Sequence, residues 1–113
     1  MLARVHRIVS GEDLRSVSRR GTKYRSALFI ASVVHTSPDR PARFGFIASK
    51  AVGRAVTRNT AKRRLRALAG QTLRDHPRGY DLVVRAQVGI TGAGVSELSQ
   101  QWTAMVSQLV ART

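Results

Sequence analysis

RFGFIASKAVGRAVTRNTAKRRLR, residues Arg43 to Arg66, changes its repeat halfway along, and that change decides the fold. Phe44, Phe46 and Ala48 alternate with Arg43, Gly45 and Ile47, the period of two that predicts a strand over Arg43 to Ser49. A glycine inside a strand marks a bulge or a close approach by another part of the backbone, and Gly45 is read in that way. Beyond Gly53 the spacing turns helical. Thr57 or Asn59 is suited to cap a helix that runs to Ala69 and is closed by Gly70.

Working outward from this strand and helix, the loop Asp75 to Gly79 leads into Tyr80 to Ala86, whose Leu82, Val83 and Val84 predict a central strand. Gly89 to Gly94 reads as a flexible linker, since it lacks the Gly-Lys-Ser/Thr that a phosphate-cradling loop requires. Val95, Leu98, Trp102, Met105 and Leu109 recur at three- and four-residue steps, an amphipathic helix with Trp102 and Met105 in the core. Upstream, the prolines of Thr36 to Ala42 break the chain after a β-rich run, Ala27 to His35, that predicts another strand. Arg19 to Thr22 reads as a basic turn, and Ser10 caps a short helix over Gly11 to Val17. The order is helix, two strands, helix, strand, helix: an α+β sandwich of one sheet and packed helices.

A chain of 113 residues fits a single domain, residues 1–113, able to bury roughly two thirds of its unfolded surface. Its formal charge is +14, from 20 Lys and Arg against 6 Asp and Glu. Such an excess repels itself in a compact fold unless a polyanion neutralises it, which points to nucleic acid or an anionic membrane. Seventeen of the 20 basic residues are Arg, which favours planar, bidentate contacts to phosphate and stacking on bases, and so nucleic acid. No stretch approaches the roughly 20 apolar residues of a membrane span, and Met1 to Ser10 lacks the apolar run of a secretory signal. The chain reads as cytoplasmic, with no membrane partner. Having no cysteine, it has neither disulfides nor Cys-ligated zinc.

Eight basic residues and no acid lie between Arg43 and Arg66. At 100° per residue, Arg58, Asn59, Lys62, Arg63 and Arg66 share an arc of about 140°, beside which Thr57, Ala61, Leu65 and Leu68 gather. One face docks and the other is a cationic ridge. A solvated helix face normally mixes signs in i,i+4 pairs, whereas like charges one turn apart each cost a few tenths of a kcal/mol. The ridge therefore calls for an anion. Arg43, Lys50, Arg54, Arg58, Asn59, Lys62, Arg63 and Arg66 form the candidate RNA-binding set, in which Asn59 either reads a base edge or sugar hydroxyl or caps the helix.

No catalytic constellation accompanies this set. A protein nuclease needs a general base, or carboxylates that hold two metal ions about 4 Å apart. Of Glu12, Asp13, Asp39, Asp75, Asp81 and Glu97, only Glu12 and Asp13 are neighbours, and adjacent helix positions point to different sides. Asp81 reads as finishing a turn, and His6, His35 and His76 each stand alone.

The same residues resemble the signature of the bacterial ribonuclease P protein component: a strand ending in Ser49-Lys50, then Val52-Gly53-Arg54-Ala55-Val56-Thr57-Arg58-Asn59, then Lys62-Arg63-Arg64-Leu65-Arg66. The likeness covers nearly the whole chain, taking in the Arg-rich start, Asp13-Leu14, Gly21 and the Tyr80 to Val84 strand. It implies a ribosomal-protein-like fold with a left-handed βαβ crossover around the basic helix, where general rules favour the right-handed one. It also implies a large catalytic RNA as partner, which with bound Mg²⁺ hydrolyses a phosphodiester to release the 5′ leader of precursor tRNA. The protein alone needs no cofactor or metal, and no protein partner is required.

In this family the basic helix contacts the catalytic RNA, and a cleft between the first helix and the sheet grips the single-stranded leader. Aromatics are common there at the positions of Leu14, Ser18 and Ser32, and none occurs in this chain. That leaves Tyr24, Phe29 or backbone electrostatics to hold the leader, since stacking on a base is worth roughly 1 to 3 kcal/mol. Thr60 stands where the family has a second Arg, Arg54 where it has Asn, and Ala51 where a second Lys is usual. The contact missing at Thr60 is either lost or carried by Arg63 or Arg64. The alternatives are a ribosomal-protein-like structural RNA binder, a stand-alone nuclease and a DNA-binding protein, because phosphate contacts alone do not distinguish duplexes.

Overall fold

The structure is a computed structural model that describes residues 2–111. Its elements are α1 (Gly11–Arg20), β1 (Thr22–Arg25), β2 (Phe29–His35), β3 (Arg43–Ile47), α2 (Ala55–Asp75), β4 (Tyr80–Ala86) and α3 (Val95–Met105), which runs on into a π-helical turn at Val106–Val110. The strands form one mixed sheet in the order β1-β2-β4-β3. Antiparallel pairing joins β1 to β2 and β2 to β4, while β3 lies parallel to β4, so that β3, α2 and β4 make a βαβ unit.

Helices cover the sheet on both faces. Phe29, Ala31, Val33, Phe44, Leu82 and Val84 meet Ala61, Leu65 and Ala69 of α2 and Leu98, Trp102 and Met105 of α3. On the opposite face Val17 and Leu14 of α1 pack on Val83, Val34, Ile47 and Ile8. Because β4 is central and covered on both sides, six of its seven residues are buried, all but Arg85. This double burial is why Leu82-Val83-Val84 shows no alternation.

The strand at Tyr80 to Ala86 and the amphipathic C-terminal helix stand as the periodicity predicts. Several boundaries differ: β2 starts at Phe29 and β3 ends at Ile47, and most of the linker expected at Gly89 to Gly94 is a 3-10 helix, Val88–Gly92, pinned by buried Ile90. Thr22–Arg25, read as part of a basic turn, is a short edge strand whose cationic Lys23 and Arg25 discourage further strand pairing. Helix α1 continues past Val17 to Arg20 and stops where Gly21 donates its N–H to the Val17 carbonyl at 2.9 Å.

Helix α2 begins at Ala55, ahead of both predicted caps, and passes through Gly70 to Asp75. Gly70 does not end it: a Cβ there would meet nothing within 4 Å, and no left-handed turn occurs at that point. The last turns are held by Thr72, whose hydroxyl accepts the Trp102 indole N–H at 2.8 Å. Pro77 then disfavours further helix. At the other end Gly53, at φ 142°, makes the turn that feeds the chain from Lys50–Val52 into α2.

Gly45 marks a close approach, though of a side chain and not of the backbone that its place in the strand suggested. A Cβ added there would collide with the Leu14 side chain, so this glycine lets α1 seat on the sheet. Gly45→Ala is expected to cost about 1–3 kcal/mol by overpacking, seen as a lower urea midpoint. Combined with Leu14→Ala it should cost less than the two single changes summed, whereas strict additivity would mean that the two sites do not touch.

Candidate nucleic-acid interface

Helix α2 turns Ala61, Leu65, Ala69 and Thr72 inward and leaves Asn59, Arg63 and Arg66 exposed on the opposite side. Arg58 and Lys62 lie at the margin, half-buried, while Lys50 and Arg54 extend the exposed basic surface into the preceding turn. Arg58 donates from Nη1 to the Gly53 carbonyl at 2.9 Å and so also braces the turn. Asn59 sits a full turn inside the helix and does not cap it. Thr60 bonds back to the Val56 carbonyl at 3.0 Å, and Arg64 donates to the Ala93 carbonyl at 3.0 Å. Arg63 is exposed and so is the freer of the two arginines beside Thr60. Among the described residues, no carboxylate pairs with any cation of this ridge.

Arg43 stands apart from the rest of the predicted set. It lies on the α1 face of the sheet and donates two hydrogen bonds to Asp81, Nε to Oδ1 at 3.0 Å and Nη2 to Oδ2 at 2.8 Å. Its Nη1 is 3.6 Å from the Asp13 carboxylate on α1. Hydrogen bonding to Asp81 raises the Arg43 pKa above its ordinary value in spite of partial burial. Asp81, only 5% exposed, is the buried half of a bidentate ion pair and does not merely finish a turn. The segment free of acid in sequence thus has its first cation neutralised in space, by residues 30 and 38 positions away.

The predicted leader cleft divides between the two faces of the sheet. Ser18 and Ser32 line a hollow of about 210 Å³ under the end of α1, together with Lys23, Arg25, Ile30, Val83 and Arg85. Leu14 packs nearby against Gly45. Phe29 and Tyr24 do not belong to it. Phe29 has no exposed surface and stacks between Tyr24 and Trp102 in the opposite layer, with ring centroids 6.0 and 5.9 Å away. Tyr24 donates its hydroxyl proton to Gln101 of α3 at 2.7 Å. Strand parity gives the reason: Phe29 is three residues from Ser32, and Tyr24 one from Lys23, so each points away from the hollow.

Three cations of this hollow were not singled out in the sequence. Register places Arg25 and Arg85 on either side of Ile30, and Lys23 beside Ser32. Lys23 donates from Nζ to the Ser18 carbonyl and, at 3.1 Å, to the Ser32 hydroxyl, securing the C-terminal end of α1. Arg25 and Arg85 are exposed. The only available signal was the alternation of Lys23 with Arg25 and of Val83 with Arg85, which shows its meaning once β1 is known to be a strand.

The donor set does not fit a Mg²⁺ site. Among the described residues no three His, Asp or Glu side chains come together, and Asp13 and Asp81 both face the Arg43 guanidinium, which stands where a cation would. Among the described residues no helix is long and apolar enough to cross a membrane.

Fold and surface together define an α+β protein that presents a basic helix ridge free of acid and a second cationic hollow. The Ribonuclease P family model matches residues 2–110. The ribonuclease P protein component of Clavibacter michiganensis is 38% identical over 110 residues, covering 97% of each chain. That of Kocuria rhizophila is 40% identical over 112 residues, 99% of this chain and 98% of the relative. Among solved structures, the RNase P protein of Staphylococcus aureus superposes with a TM-score of 0.77 at 20% identity, covering 91% of this chain and 94% of that one. The Thermotoga maritima RNase P protein does so with a TM-score of 0.78 at 18% identity, covering 91% and 96%. This chain belongs to the ribonuclease P protein family.

Proposed function

We propose that the chain is the protein subunit of a ribonuclease P, binding the catalytic RNA along α2 and the 5′ leader of precursor tRNA in the hollow beneath α1. The chemistry is the RNA's, and Mg²⁺ on the RNA supplies the charge stabilisation for phosphodiester hydrolysis. The observation that carries this reading is the ridge Asn59, Lys62, Arg63, Arg66, which has no counter-charge among the described residues. Its charges act by lowering the cost of bringing two polyanions, catalytic RNA and substrate, together. Cleavage of precursor tRNA by the cognate RNA at low Mg²⁺ should be faster, or tighter in substrate, with the protein than without. Unchanged rate and affinity would sink the reading.

In the hollow, Arg25 and Arg85 offer phosphate contacts where the family commonly offers aromatic faces, so the leader is held by its backbone. Arg25→Gln with Arg85→Gln should weaken binding of precursor tRNA and reduce its salt slope by about 0.7 per lost single-strand phosphate contact. Mature tRNA, lacking a leader, should be unaffected. An equal loss on both substrates would remove the leader from this hollow.

A further inference from the structure

A second concavity lies at the other side of the ridge, lined by Leu2, Arg7, Arg63, Arg66 and Ala67, with a volume of about 610 Å³. Two distant parts of the sequence build it. The N-terminal segment runs alongside the free edge of β3: Arg7 bridges Phe44 in parallel register, and Ile8 donates its N–H to the Phe44 carbonyl at 2.9 Å. His6 adds a ring hydrogen bond to the Ala42 carbonyl at 2.7 Å. Ile8 enters the apolar cluster under α1, so by strand alternation Arg7 points the other way, toward α2. Leu2 is anchored in the main core, which pins the segment at a second point.

The result is a hollow with an aliphatic floor, Leu2 and Ala67, and a rim of three guanidinium groups. Among the described residues, Arg7, Arg63 and Arg66 have no carboxylate partner. Their convergence is unfavourable without an anion between them. The space far exceeds that of one ion and falls in the size range of pockets that enclose small organic ligands, roughly 300–1,000 Å³.

We infer that this hollow receives a single nucleotide turned out of a structured RNA, its phosphate held by Arg7, Arg63 and Arg66 and its base or ribose lying on Leu2 and Ala67. The inference rests on the reading of α2 as the RNA-binding ridge and adds to it a built pocket and a residue, Arg7, from outside the basic segment. Planar, forked guanidinium groups suit a phosphodiester from several sides at once. The aliphatic floor gives the nucleotide's apolar face a dry surface that a bare cationic ridge does not provide.

The test is binding of the full chain to its cognate catalytic RNA across a salt series, with 2′-hydroxyl acylation of the RNA read in parallel. Arg7→Gln should lower affinity by about tenfold and the slope by about 0.7 to 0.9. Arg7→Gln and Arg66→Gln should be non-additive, as expected of two groups on one phosphate, whereas Arg7→Gln and Arg54→Gln should add. One nucleotide protected by the unaltered protein should become reactive with both Arg7→Gln and Ala67→Glu. If Arg63→Gln and Arg66→Gln weaken RNA binding while Arg7→Gln does not, the pocket is wrong and the ridge stands. If neither change weakens it, the ridge itself is wrong. Adenosine monophosphate and inorganic phosphate serve as further probes: tight binding of either, with no protected nucleotide in the RNA, overturns the inference in favour of a free-ligand site.

Discussion

Arg43→Ala is expected to destabilise the protein by about 3–5 kcal/mol, the usual consequence of stripping the partner from a buried ion pair. The Arg43 side chain is 21% exposed and that of Asp81 7%, so removing the guanidinium leaves a carboxylate with little access to water and two acceptors unfilled. It also releases Asp13, and with it one tie between α1 and the sheet. Urea denaturation measures the loss. Arg43→Ala combined with Asp81→Ala should cost clearly less than the sum of the single changes, because the isolated charge is then absent. At a temperature where the variant remains folded, the salt slope of RNA binding should match that of the unaltered protein. A stable Arg43→Ala variant with a reduced slope would return Arg43 to the RNA surface.

The opposite pattern is expected for Lys62, Arg63 and Arg66. Replacing all three with glutamine should lower affinity for the catalytic RNA by about a hundredfold or more and flatten the dependence of log affinity on log salt by about 2 to 3. Stability should hold or rise slightly. Lys62 and Arg66 are one turn apart, Arg63 and Arg66 three residues apart, and like charges at those spacings cost a few tenths of a kcal/mol each. Arg58 is left out because its hydrogen bond to Gly53 shapes the turn entering α2, so that its loss would mix folding with binding. An unchanged slope in the triple variant would put the RNA surface elsewhere on the molecule.

These two sets of cations look alike in the sequence and differ in what surrounds them. The ridge was legible because its logic is local: the α-helical repeat sorts residues into faces, and among the described residues the fold brings no carboxylate into an ion pair with it. The ion pairing of Arg43 was not legible because its acids come from α1 and β4, and only the pairing of β3 with β4 brings Arg43 opposite Asp81. Phe29 was misread for a related reason. A bulky aromatic suits either a core or a stacking cleft, and its parity relative to Ser32 decides between them. Helix α2 outran Gly70 because the propensity penalty of one glycine, about 1 kcal/mol, is outweighed by the bond of Thr72 to Trp102 and the packing of Leu68 and Leu73 on the main core.

The amino-acid order by itself determined the class of fold, the central strand Tyr80–Ala86, the apolar face of the C-terminal helix and the cationic ridge, since each follows from a repeat of 2 or 3.6 residues along one segment. Only the tertiary structure decided which charges are free. Strand register, the seating of α1 on Gly45 and the run of the N-terminal segment along β3 set distances between residues far apart in the chain. Coulomb energies and desolvation depend on those distances, so the surroundings of Arg43, Arg25, Arg85 and Arg7 had to await the fold.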